Sequence, residues 1–169
     1  IEHHLAHLYS AFYVSPFKEA VTVSVDGFGD FSSGAWGVGK DNEITIEGRV
    51  FFPHSLGIFY QALTQHLGFP HYGDEFKVMG LAPYGKPVYM DEMREIVHLQ
   101  ADGSYRLNLD YFRHHKEKIA NEWEGGAPEF GSIFSDKLAD LLGPVRQKDE
   151  ELTQKHMDIA HSIQAMYEE

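Results

Sequence analysis

Ala20-Val-Thr-Val-Ser-Val-Asp26 alternates apolar and polar residues with a period of two. Successive side chains of a strand point to opposite faces, so this period marks a strand with one face covered. Val21, Val23 and Val25 share one face; Thr22, Ser24 and Asp26 share the other. Gly27-Phe-Gly-Asp30 behind it reads as a turn. Residues 33–39 and 44–51 read as two further strands, with the polar Lys40-Asp41-Asn42 as the turn between them. Three consecutive strands with short connections predict an antiparallel three-stranded meander.

The elements on either side read as helices. Ile1, Leu5, Leu8 and Phe12 recur at i, i+4, i+7 and i+11, which predicts a helix over 1–13 that ends before Pro16. Residues 55–67 carry Leu56, Phe59, Leu63 and Leu67 on one face, with Ser55 as N-cap and Gly68 as stop. Residues 70–90 hold three glycines and three prolines and read as an ordered surface loop with some short helix. Further on, 91–98 and 132–142 are short helices, 104–109 a short strand, and Gly125-Gly126 a breaker in the irregular segment 113–131. Residues 150–167 form a helix with Leu152, Ile159, Ile163 and Met166 near one face. The fold class is a mixed α/β (α+β) chain, its meander flanked by helices.

The chain has 169 residues, no cysteine, 14 basic against 26 acidic residues and a net charge of −12. The length suffices for a core. The missing cysteines exclude disulfides, thiolate zinc sites and a thiol nucleophile. The acidic balance argues against DNA as a partner, which needs clustered Lys and Arg. No apolar run approaches the ~20 residues of a membrane span. The chain opens on Ile1 rather than Met and closes on Glu169 within a helical pattern, so an internal piece of a longer, cytoplasmic protein is expected.

Among the 11 histidines, His3, His4 and His7 cluster on the first helix. His3 and His7, four apart, share a face about one turn apart and can hold one ion. On a helical wheel they point away from the Ile1/Leu5/Leu8/Phe12 stripe, whereas His4 lies nearer to it. Such a pair also arises by chance in a histidine-rich chain. Asp26, at a strand end with glycines behind it, can complete a His, His, Asp set with positions left open for substrate. It can equally be an ordinary turn carboxylate. Gly73 to Gly85, with Lys77 and Gly80, suits anion contact through backbone N–H groups, though it is not a Walker A sequence; by spacing alone it reads rather as a loop that needs glycine for positive φ.

At these residues the sequence resembles a known family. His3-His-Leu-Ala-His7, Val25-Asp-Gly27, Pro53-His-Ser-Leu-Gly57, Lys77-Val-Met-Gly-Leu-Ala-Pro-Tyr-Gly85, Leu142-Gly-Pro-Val-Arg146 and Asp158-Ile-Ala-His-Ser-Ile-Gln164 occur in that order, end to end. The chain is similar to O-carbamoyltransferases of the NodU/CmcH type. The resemblance implies that residues 1–169 are one fragment of their N-terminal domain, which has a sugar-kinase/actin/Hsp70-like fold related to ribonuclease H. It also implies relatedness to the tRNA threonylcarbamoyl transferases, and a C-terminal adenylate-forming domain that this chain lacks.

The implied chemistry makes carbamoyl-adenylate and pyrophosphate from carbamoyl phosphate and ATP. The carbamoyl group then passes to a hydroxyl of a sugar or antibiotic-like acceptor at a metal site. His3 and His7 match the metal histidines and Asp26 the metal carboxylate; these three are the expected catalytic residues. The ion the resemblance implies is Fe(II), with Zn or Mn open. Gly27, Gly29, Lys77 and Gly80 are the expected nucleotide contacts. Asp30 is a candidate without a role. The fragment is expected to be inactive alone, and a homodimer stays open. The competing expectations are a tRNA threonylcarbamoyladenosine-type transferase and a non-catalytic interaction module.

Overall fold

The structure is a computed structural model that describes residues 1–122 and 129–169. Gly125-Gly126 lies outside the described residues. The chain divides into two compact units, Ile1–Gly57 with Leu99–Arg106, and Ile58–His98 with Leu107–Glu169.

The first unit is the expected meander with a helix on it. β1 (Glu19–Gly29), β2 (Ser32–Lys40) and β3 (Glu43–Phe51) form an antiparallel sheet in the order β1-β2-β3. Val21 pairs with Val38 and Val23 with Trp36; Trp36 in turn faces Gly48. The β2–β3 turn falls at Asp41-Asn42, as expected. The β1–β2 turn does not. Gly27 to Gly29 continue the strand, Gly29 pairs with Ser32, and the turn is Asp30-Phe31 alone. Between Val25 and Gly29 the register shifts, so β1 carries a bulge at Asp26-Gly27-Phe28. Glycines that read locally as a turn are held in the strand by long-range pairing.

α1 (His3–Tyr13) crosses one face of the sheet. Glu2 caps it, its carboxylate accepting from the His4 and Leu5 N–H groups while pairing with Arg49 at 2.9 Å. At the other end the Tyr13 hydroxyl donates to the Asn42 carbonyl. The buried face of α1 is His4, Leu8 and Phe12; Ile1 precedes the helix and is exposed, and Leu5 sits at the margin. The covered face of β1 is the polar one, Thr22 and Ser24, while Val21 and Val23 stand 74% and 62% exposed. The alternation is as read, but tertiary packing chose the side.

In the second unit, α2 (Leu56–His66) buries Phe59, Ala62 and Leu63 and stops at Gly68, whose φ is +80°. Residues 70–90, expected as an ordered loop with some short helix, hold α3 (Glu75–Leu81) running into a 3₁₀ turn (Ala82–Tyr84), with α4 (Met90–Ile96) beginning at their end. The remaining short strands, β4 (Val97–Leu99), β5 (Tyr105–Leu107), β6 (Asn121–Glu122) and β7 (Glu129–Phe130), form two pairs, β4-β5 and β6-β7. α5 (Lys137–Leu142) precedes α6 (Gln154–Glu168), which packs Ile159, Ala160, Ile163 and Met166 into the core beside α3 and α4. α6 starts four residues later than expected because Thr153 and His156 close a capping box, leaving Leu152 outside. Among the described residues no helix is long and apolar enough to cross a membrane.

Candidate metal centre

Two elements bring one site together in the first unit. His3 and His7 come from successive turns of α1, and Asp26 from the bulge of β1. Bulges re-aim side chains and recur beside functional sites. His3 Nε2 lies 2.6 Å from Asp26 Oδ2, His7 Nε2 lies 3.4 Å from the same oxygen, and the two imidazole nitrogens are 3.1 Å apart. All three ligand atoms fall within 4.8 Å of one another, and this is the group among the described residues that could hold an ion.

The spacing fits a first-row ion. Metal–N and metal–O distances near ~2.1 Å put ligand atoms ~3.0 Å apart at right angles and ~3.4 Å apart in a tetrahedron. The 3.1 and 3.4 Å separations match without movement. The 2.6 Å contact, a hydrogen bond from the His3 ring to Asp26, needs to open by only a few tenths of an ångström. Two imidazoles and one carboxylate with open positions form the donor set of a facial triad. Side-chain exposures of 38%, 51% and 37% for His3, His7 and Asp26 leave one side of the site to solvent.

The electrostatics favour a cation. Burial pushes the Asp26 carboxyl up, but the His3 hydrogen bond, the Gly27 N–H and the two imidazoles outweigh it and hold the group below its ordinary range. Its other oxygen, Oδ1, accepts the Gly27 N–H at 2.6 Å.

Neighbouring residues hold these three side chains in place. Asp30 has a role: its Oδ2 accepts the His3 backbone N–H at 2.8 Å and so caps the first turn of α1. Ser55 grips the bulge, its hydroxyl donating to the carbonyls of Gly27 at 2.7 Å and Asp26 at 3.1 Å. The motif Pro53-His-Ser-Leu-Gly57 thus has a structural purpose that no local pattern could reveal, since its partner lies 28 residues away. His4 turns inward, as the wheel argument required, and is fully buried.

The four expected nucleotide contacts divide. Gly27 has open space over its Cα, whereas the corresponding space at Gly29 is filled by the His3 ring. Lys77 and Gly80 lie in the second unit, inside α3 rather than in a glycine loop. The Lys77 ammonium pairs with the buried Asp74 at 2.6 Å, and Gly80 has open space above it. Two other motifs work as struts of that unit. The buried Arg146 guanidinium donates to the carbonyls of Leu67, Lys148 and Glu150 and lies 5.3 Å from the Phe69 ring. On α6, Asp158 accepts the Lys86 N–H, Ser162 accepts the Tyr89 N–H, and the His161 ring donates to the Ala82 carbonyl.

The first unit thus brings two histidines and an aspartate together in a group that could hold a metal ion. Comparison with known proteins is specific. Residues 1–169 match the family described as Carbamoyltransferase N-terminus. The chain is 41% identical over 169 residues to the uncharacterized protein sll1178 of Synechocystis. It is 34% identical over 171 residues both to nodulation protein NolNO of Sinorhizobium fredii and to nodulation protein NolO of Bradyrhizobium diazoefficiens. Each alignment covers 99% of this chain but only 25%, 21% and 26% of the respective relative, so the chain spans about a quarter of their length. The chain belongs to the carbamoyltransferase N-terminal family.

Proposed function

We infer that this chain carries the metal-holding part of an O-carbamoyltransferase, active in the longer protein. The convergence of His3 Nε2, His7 Nε2 and Asp26 Oδ2 within a family named for carbamoyl transfer is the observation that carries this reading. The donor is carbamoyl-adenylate, formed from carbamoyl phosphate, ATP and water with release of phosphate and pyrophosphate, and the acceptor is a hydroxyl of a sugar or antibiotic-like molecule. The acceptor oxygen bonds to the carbamoyl carbon, the bond from that carbon to the adenylate phosphate oxygen breaks, AMP leaves, and the hydroxyl loses its proton. ATP as a reactant assigns the reaction to the cytoplasm.

Fe(II) suits the two-histidine, one-carboxylate donor set, with Zn and Mn as alternatives. When bound, such an ion supplies Lewis acidity toward a carbonyl or phosphate oxygen. His3 and His7 would hold such an ion through their Nε2 atoms from one helical face, His3 giving up its hydrogen bond to Asp26, and the Asp26 carboxylate would supply the negative charge. Asp30 and Ser55 hold the backbone that carries them. Of the expected nucleotide contacts, Gly27 is the one in the first unit that the proposal keeps, since the space over its Cα is open where that over Gly29 is filled; Lys77 and Gly80 are proposed on the family resemblance alone.

The test uses the full-length protein. His3→Ala and Asp26→Ala are expected to lose bound metal and to lower carbamoyl transfer by at least about a hundredfold, with circular dichroism unchanged. Metal content by elemental analysis and transfer of labelled carbamoyl phosphate are the two measurements. Wild-type transfer rates in both variants would sink the proposal.

A further inference from the structure

His4 sits between the two metal-site histidines and takes no part in the ligand set. It is 0% exposed, and its ring packs edge-on against His3 with centroids 5.2 Å apart. Its Nε2 lies 3.0 Å from the Ser32 carbonyl, which can only accept, so Nε2 carries the proton. Nδ1 lies 2.9 Å from the Ser24 hydroxyl. Both ring nitrogens are therefore hydrogen-bonded.

The two tethers end at informative places. Ser24 stands two residues before Asp26, on the same face of β1. Ser32 directly follows the turn whose Asp30 accepts the His3 N–H. His4 therefore joins the helix carrying two ligands to the strand carrying the third, and to the turn that caps the helix. This matters because His3 and His7 on α1 meet Asp26 on β1 only through the setting of helix on sheet. Leu8 and Phe12 hold α1 down, but apolar contact is non-directional and tolerates sliding and rotation. Hydrogen bonds at 2.9 and 3.0 Å do not.

We propose that His4 is a positioning residue: it fixes the register of α1 over β1 so that His3, His7 and Asp26 converge on one point. This rests on the metal reading of the site. In the full-length protein, His4→Leu keeps the volume and removes both tethers. Zn(II) affinity, measured by chelator competition, is expected to fall by about tenfold or more. His4→Gln, whose amide offers a donor and an acceptor, recovers part of the loss, and the milder Ser24→Ala gives an intermediate one. Leu8→Ala is the control on the same helix face: it loses packing, keeps both tethers, and at a temperature where every variant is folded binds as wild type does. Unchanged affinity in His4→Leu and Ser24→Ala, or equal losses in His4→Leu and Leu8→Ala, overturns the proposal.

A second readout is independent of metal. The proton between His3 Nε2 and Asp26 Oδ2, 2.6 Å apart, is expected to give a low-field proton resonance in the metal-free protein, which should vanish in His4→Leu and persist in Leu8→Ala. Its persistence in His4→Leu also overturns the proposal. Loss of that resonance together with no metal binding by wild type upholds His4 as the positioning residue and removes the metal reading instead.

Discussion

Gly29 has no side chain because the His3 ring occupies the space where one would stand. A Cβ at this position would overlap the His3 ring. The ring cannot retreat without leaving Asp26, so Gly29→Ala should weaken metal binding by about tenfold or more. The same clash should lower stability by about 1–3 kcal/mol. Chelator competition and thermal unfolding measure the two effects, and wild-type values for both would show that the ring has room to move. At this scale the histidines were legible: their spacing places His3 and His7 on one face, and the wheel turns His4 inward. The job of Gly29 was not, because its neighbour is 26 positions earlier in the chain.

The β1–β2 hairpin is closed by Asp30 and Phe31, with φ of +50° and +65°. A two-residue hairpin demands left-handed backbone at both positions and favours Asn-Gly or Asp-Gly there. Asp30 suits its place and serves as a cap for α1. Phe31 is a bulky residue in a region that disfavours it by about 1–2 kcal/mol, and its ring is exposed. Phe31→Gly should therefore stabilise the first unit by about 0.5–1 kcal/mol, after the entropy cost of glycine. Urea unfolding measures it; no gain would mean that the ring makes a favourable contact that offsets the backbone. The three strands and α1 were legible as elements because period two and period near four are local signals. The bulge at Asp26-Gly27-Phe28 was not, since it exists only in the pairing with β2.

Acid stability belongs to the molecule as a whole, and His66 gives it a handle. It is buried at the end of α2, its Nδ1 has no partner, and its pKa is pushed down to about 4, by burial first and then by Lys155 and His156. The unfolded chain binds this proton near pH 6.5 and the folded chain only near 4. The resulting stability is present above pH 6.5, and falls as the pH drops toward 4, by up to about 3 kcal/mol. His66→Leu should flatten that part of the pH profile in denaturant unfolding; an unchanged slope would remove His66 as its source. Family membership, the meander and the histidine pair were determined by the sequence itself, since each is written in residues close together or in motifs that need no partner. Only the tertiary structure decided that the polar side of β1 is the covered one, that Lys77 and Gly80 are helical, and that Asp26 meets His3 and His7. Each of these is fixed by contacts or pairing that the one-dimensional pattern does not encode, and the metal-type site exists only where helix and bulge are brought together.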